Sequence, residues 1–229
     1  MNQQRSVLFL HMPKCAGSSM KSVFQSIYGA NFKEDYDSFF KIPRPERYKA
    51  IATATTISKR ENSGIIGGMT YGHFFPIKYL ANLSSNQRKN IILATFLRDP
   101  LDRLASHYAF WTRMNQSQHY LWKKMRQENW SFTRFALSLE MKDFYSQHFF
   151  QVPIKSFDFI GICENIDRDW MRLCELLKIK SQELPHINKS SSKSILSKIP
   201  EELKSEIRDF HAEDYFIYET ALTKSLDNI

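Results

Sequence analysis

Apolar residues along this chain fall into short unbroken runs and longer segments with helical spacing, and the two kinds alternate. The first run, Ser6–Met12 (SVLFLHM), is nearly continuous, the pattern of a strand buried on both faces. From Gly17 onward Met20, Val23, Phe24 and Ile27 recur at helical spacing, and Gly29 stands where such a helix would stop. GIIGGMTY at 64–71 predicts a second short strand leading into GHFFP, and Asn90–Leu97 (NIILATFL) is the clearest strand in the chain. That strand ends on Arg98-Asp99-Pro100. Pro100 suits the first position of a helix, along which Leu101, Leu104, Ala105, Tyr108 and Trp111 follow with helical spacing. Asp158–Cys163 (DFIGIC) predicts another buried strand, followed by a helix over Ile166–Leu177. Residues 31–63 read as helix and loop, and 117–150 as helical pieces rich in aromatics. A serine-rich stretch at 185–198 precedes a last amphipathic helix from about Pro200 to Leu222.

Strands alternating with helices predict an α/β fold whose central sheet is mainly parallel and flanked by helices. No internal repeat or long linker divides the chain, so residues 1–229 are expected to form a single domain.

Composition changes this picture little. At 42% hydrophobic residues a full core can form, and global disorder is excluded. The net charge of +8 points to an anionic partner: nucleic acid, acidic polysaccharide, membrane surface or phosphorylated cofactor. Charge alone does not choose. Cys15, Cys163 and Cys174 are odd in number and widely spaced, with neither disulfide nor metal-ligand patterning. Cys163 and Cys174 lie in apolar surroundings and read as buried free thiols. No apolar run reaches the ~20 residues of a membrane span, and the N-terminal one is too short for a signal peptide.

The candidate chemistry sits at two predicted strand ends, where open parallel sheets collect ligands. The first carries Pro13-Lys14-Cys15-Ala16-Gly17-Ser18-Ser19. Gly17 allows close backbone approach, the two serines offer donors, and the helix start adds partial positive charge. Lys14 adds a full charge on a flexible stem. The second end carries Arg98 and, two helical turns on, Ser106, a clamp for a terminal phosphate. Asp102 and Arg103 between them read as partners in a local salt bridge. Two grips at neighbouring strand ends imply a ligand with phosphate groups on different parts of the molecule. The spacing G-x-x-x-x-G-K-[ST] of an ATP-binding P-loop is absent, which argues against a kinase. A non-enzymatic binder of acidic polymers would explain the charge but not the residue types at the strand ends.

PKCAGSS followed by LRDPLDRLASHY resembles the two cofactor signatures of sulfotransferases that use 3′-phosphoadenosine-5′-phosphosulfate (PAPS). The wording HMPKCAGSSM and FLRDPLDRLASHY is most similar to the carbohydrate sulfotransferases related to heparan sulfate 2-O-sulfotransferase. YGHFF, DFIGICENID and PHINKSSS fit the same group, and Cys15 stands where many relatives carry Thr. The resemblance implies a P-loop-like fold, PAPS as cofactor with adenosine 3′,5′-bisphosphate (PAP) as product, and no required metal. It implies sulfuryl transfer to a carbohydrate or other hydroxyl-bearing acceptor, possibly anionic, and no nucleic-acid partner. The alternative is an inactive sulfotransferase-like protein that binds nucleotide or acidic glycans.

By the same resemblance the loop Pro13–Ser19 grips the 5′-phosphosulfate, and Arg98 and Ser106 grip the 3′-phosphate. Asn188 and Lys189 then belong to a late loop over the nucleotide, and His73 is the general base with Lys14 as the second catalytic group. A histidine suits the task because its ordinary pKa near 6.5 leaves much of it neutral at pH 7. His11 and His107 read as structural, and Glu61 as a solvated loop carboxylate. The expected setting is soluble and cytoplasmic, of bacterial type, or the Golgi lumen if the sequence is a trimmed piece of a longer protein.

Overall fold

The computed structural model describes residues 5–36, 42–57, 67–81, 83–149, 151–185 and 192–227. Its first half comprises β1 (Ser6–Leu10), α1 (Gly17–Tyr28), β2 (Phe32–Glu34), α2 (Arg44–Ile57), β3 (Met69–Gly72), α3 (Ile77–Leu80), α4 (Ser85–Lys89) and β4 (Ile91–Leu97). The second comprises α5 (Pro100–Arg113), α6 (Tyr120–Gln127), α7 (Phe132–Ala136), α8 (Phe144–Phe149) and β5 (Phe159–Ile162). It closes with α9 (Ile166–Leu177), α10 (Ser192–Leu196), α11 (Glu201–Phe210) and α12 (Ala212–Asp227).

The five strands lie in the order β2-β3-β1-β4-β5, and every neighbouring pair is parallel. All five residues of β1 are buried, as are six of the seven in β4, because helices cover the sheet. Phe9 of β1 stacks on Tyr71 of β3, and Phe24 of α1 meets Trp170 of α9 with ring centroids 5.3 Å apart. The consequence for function is the central place of β1. With β3 on one side and β4 on the other, the chain segments leaving the carboxyl ends of these strands converge.

Most elements follow the apolar pattern. The helix stop at Gly29 is observed, with φ of 48° at that residue. Three expectations are corrected. The edge strand β2 lies where helix and loop were expected; three residues carry no readable period, and pairing with β3 in the register Phe32↔Met69 defines it. The last helix is two helices, α11 and α12, broken at His211. That side chain is fully buried: its Nδ1 accepts the Asp143 N–H (3.2 Å), and its Nε2 lies 2.8 Å from the Ala136 carbonyl. Arg103 does not pair with Asp102. Its guanidinium is wholly buried 4.2 Å from the centroid of the Phe144 ring, and its nitrogens have no hydrogen-bond partner among the described residues.

Candidate active site

The backbone leaves β1 at His11, whose N–H donates to the Gly72 carbonyl at the end of β3 (2.8 Å). Lys14 (φ 70°) and Ala16 (φ 57°) then take left-handed conformations, uncommon for residues with side chains and concentrated at functional sites. Ala16 caps α1 without a side-chain hydrogen bond. Ser19 and Met20 return their N–H groups to the Ala16 carbonyl. The amides of Gly17 and Ser18 are thus left to the open end of the helix, which favours an anion. Gly17 has a further purpose: a Cβ there would fall 1.7 Å from Nε2 of His11. The glycine makes room for the imidazole.

His11 Nδ1 lies 3.1 Å from His73 Nε2, the residue that follows β3. Gly72 before it admits no side chain, since a Cβ would sit 1.8 Å from the Asp35 carbonyl oxygen. Burial holds the His73 imidazole down at about 4, and burial, with help from His73 and Lys14, holds His11 well below the usual range. Both rings are therefore neutral at pH 7, and the pair needs one donor and one acceptor nitrogen. The sequence reading set His11 aside as structural; the structure makes it the partner of His73.

At the end of β4, Tyr145 Oη donates to the Arg98 carbonyl and accepts the Arg98 N–H. The next residue, Asp99, caps α5 by accepting the Asp102 N–H (3.0 Å), and its own N–H donates to Glu164. Arg98 and the start of α5 are thereby held from both sides, and Ser106 of α5 is buried. Tyr145 lies in the aromatic stretch 117–150, where no sequence signal singles it out.

These segments enclose a cavity of about 640 Å³. Pro13, Lys14, Ala16, Gly17, Ser18 and Ser19 line it, together with Arg98, Ser106, His73 and His11. Cys15 does not line it. Its thiol is buried near Tyr145 Oη (3.9 Å) and the Pro13 carbonyl (3.8 Å), so no side-chain contact to a ligand follows from that position. Cys163, expected as a buried thiol, is half-buried and on the cavity wall; Cys174 is buried. His107, expected as structural, also reaches the wall. Asn188, Lys189 and Glu61 lie outside the described residues. Lys14 Nζ sits 4.0 Å above the Phe110 ring. Burial, then the Arg113 and Arg98 charges, lower its pKa to about 8.

The strand ends of a parallel α/β sheet thus bring an open helix start, a lysine, an arginine and a histidine pair to one cavity, with positive charge and backbone donors beside two neutral imidazoles. The sequence model of the sulfotransferase family matches residues 1–219, and the chain belongs to that family. No curated protein gives a significant sequence match. Among solved structures the chain is similar to a sulfotransferase from Alicyclobacillus acidocaldarius (15% identity, TM-score 0.42, 94% of this chain and 95% of that one). It is also similar to a mouse sulfotransferase complexed with PAP (10% identity, TM-score 0.39, 86% and 63%). A third is a retinol dehydratase in complex with retinol and PAP (12% identity, TM-score 0.42, 93% and 82%). Among the described residues no helix is long and apolar enough to cross a membrane.

Proposed function

We propose that this protein transfers a sulfuryl group from PAPS to a hydroxyl of an acceptor. The motif resemblance favours a carbohydrate hydroxyl; the transfer chemistry itself asks only for an alcohol. The observation that carries the reading is the convergence on one cavity of Lys14, the uncapped start of α1, Arg98 and Ser106, with the His11–His73 pair beside them. These residues fit a nucleotide with two separate phosphate positions. The amides of Gly17 and Ser18 and the serine hydroxyls suit the 5′ side, and Arg98 with Ser106 suits the 3′ side. Asn188 and Lys189 are assigned to the nucleotide on the motif resemblance alone.

PAPS supplies an activated sulfuryl group whose bond to the 5′-phosphate breaks as the acceptor oxygen bonds to sulfur. Lys14 stabilises the negative charge that gathers on the leaving phosphate and on the sulfuryl oxygens. Its lowered pKa still leaves most of it protonated at pH 7. The acceptor proton passes to the histidine pair, with His73 as the base; burial keeps it unprotonated and ready to accept. His11 fixes the orientation of the His73 ring through their 3.1 Å contact.

Thermal stabilisation by PAP and by ATP tests the reading. PAP is expected to raise the Tm strongly and ATP little. Equal stabilisation, or preference for ATP, overturns it.

A further inference from the structure

Tyr145 is fully buried and does not line the cavity, yet its hydroxyl touches a residue of each phosphate grip. On one side Oη donates to the Arg98 carbonyl and accepts the Arg98 N–H (3.1 Å). On the other it lies 3.9 Å from Sγ of Cys15. Cys15 stands between Lys14 and Ala16, the two left-handed residues of the phosphate loop, and its thiol is the part of that loop turned inward. One hydroxyl therefore joins the loop after β1 to the arginine after β4.

The tyrosine is itself fixed from behind. Its N–H donates to Asp214 Oδ1 (2.7 Å), and the Ser146 N–H reaches the same oxygen (3.3 Å). With the Asp143 N–H on His211 Nδ1, the start of α8 is tied to the junction of α11 and α12. The Arg103 guanidinium lies 5.4 Å from the centroid of the Tyr145 ring. Burial raises the phenol well above its ordinary 10, so the hydroxyl stays a donor. A side chain locked by packing and by its own hydrogen bonds holds its neighbours in one geometry.

We propose that Tyr145 is a positioning residue: a fixed strut that sets the separation of the two phosphate grips. It thereby makes the protein favour a nucleotide phosphorylated at both the 3′ and 5′ positions over one phosphorylated at a single position. The proposal rests on the sulfotransfer reading above. A ligand held at two points gains from both only if their separation is already right; otherwise binding must order the grips as well. A ligand held at one point never tests that separation.

Calorimetric titration of the full chain with PAP, adenosine 5′-monophosphate and adenosine 3′-monophosphate tests this. In Tyr145→Phe the affinity for PAP is expected to fall about tenfold, and that for either monophosphate about twofold at most. The ring and its packing on Arg103 are kept, and an unchanged circular dichroism spectrum shows that the variant is folded. A residue that merely supported the fold would weaken all three ligands alike. Losses as large for a monophosphate as for PAP, or no loss for PAP, overturn the proposal. If Tyr145→Phe does not fold, Cys15→Ala, which removes the loop end of the link, is read in the same way. A loss confined to PAP then supports the strut, and any other pattern overturns it. A wild-type protein that does not bind PAP overturns the sulfotransfer reading instead, so the two failures are distinguishable.

Discussion

His73 Nε2 lies 3.1 Å from His11 Nδ1, and a Cβ on Gly17 would fall 1.7 Å from the other nitrogen of that same His11 ring. The end of β3, the end of β1 and the start of α1 therefore meet through one imidazole. Gly17→Ala is expected to displace His11 and with it His73. A displacement of about 1 Å at a reacting group can cost ~10²-fold in rate, and overpacking costs ~1–3 kcal/mol. Turnover and Tm measured on one preparation check both effects; full activity would show that the pair is not needed.

His73→Ala should lose ~10²–10⁴-fold in turnover, the usual worth of a general base, with the affinity for PAP retained. The wild-type pH profile gives a second check. Burial holds His73 at about 4, so the base stays unprotonated until pH falls far below 6.5. The kcat profile at saturating PAPS, which reports the bound complex, is expected to be flat from pH 7 to 5.5 where the protein remains folded. An inflection near 6.5 would refute a buried base.

Lys14 titrates at about 8 through burial and its Arg113 and Arg98 neighbours. A bound phosphate favours the protonated form. Between pH 7 and 8 that form predominates and the phosphates of PAP are doubly ionised, so affinity for PAP should vary little. Above pH 8 binding must take up a proton, and affinity should fall ~10-fold per pH unit. Isothermal titration at pH 7 and pH 9.5 measures this. Lys14→Ala should abolish the dependence, lose turnover and remain folded.

Stability should fall in mild acid for a reason the cavity shares with the core. Burial holds His11, His73, His107, His148 and His211 below their ordinary 6.5. Below pH 6.5 the unfolded chain binds protons these residues refuse in the folded state. Each then removes up to ~1.4 kcal/mol per pH unit. Asp214 acts in the opposite direction: burial raises it to about 7, so the folded state takes up its proton first. The Tm is expected to drop steadily from pH 7 to 5, and more steeply in Asp214→Asn. A Tm constant over that range would refute the buried, neutral histidines.

The sequence by itself determined the alternation of strands and helices, the stop at Gly29, the start of α5 at Pro100 and the span of α9. Burial on one side of an element or on both is written locally, in the period of apolar residues. The residue types of the phosphate loop and of Arg98-Asp99-Pro100 were legible for the same reason, since each is a short contiguous segment. Other features needed the tertiary structure. His11 and His73 are 62 residues apart and meet only because β3 and β1 are neighbours in the sheet. Tyr145 reaches Arg98 across 47 residues, and Arg103 is buried under Phe144 instead of pairing with Asp102. Tyr145 lies in the segment 117–150, whose helical pieces are too short to show which face turns inward. In the loop PKCAGSS the sequence supplied the lysine, glycine and serines. Only the fold decided that Gly17 makes room for His11 and that the Cys15 thiol turns into the core, because the first depends on how the loop after β1 folds back over the His11 ring and the second on Tyr145 of α8, 130 residues away.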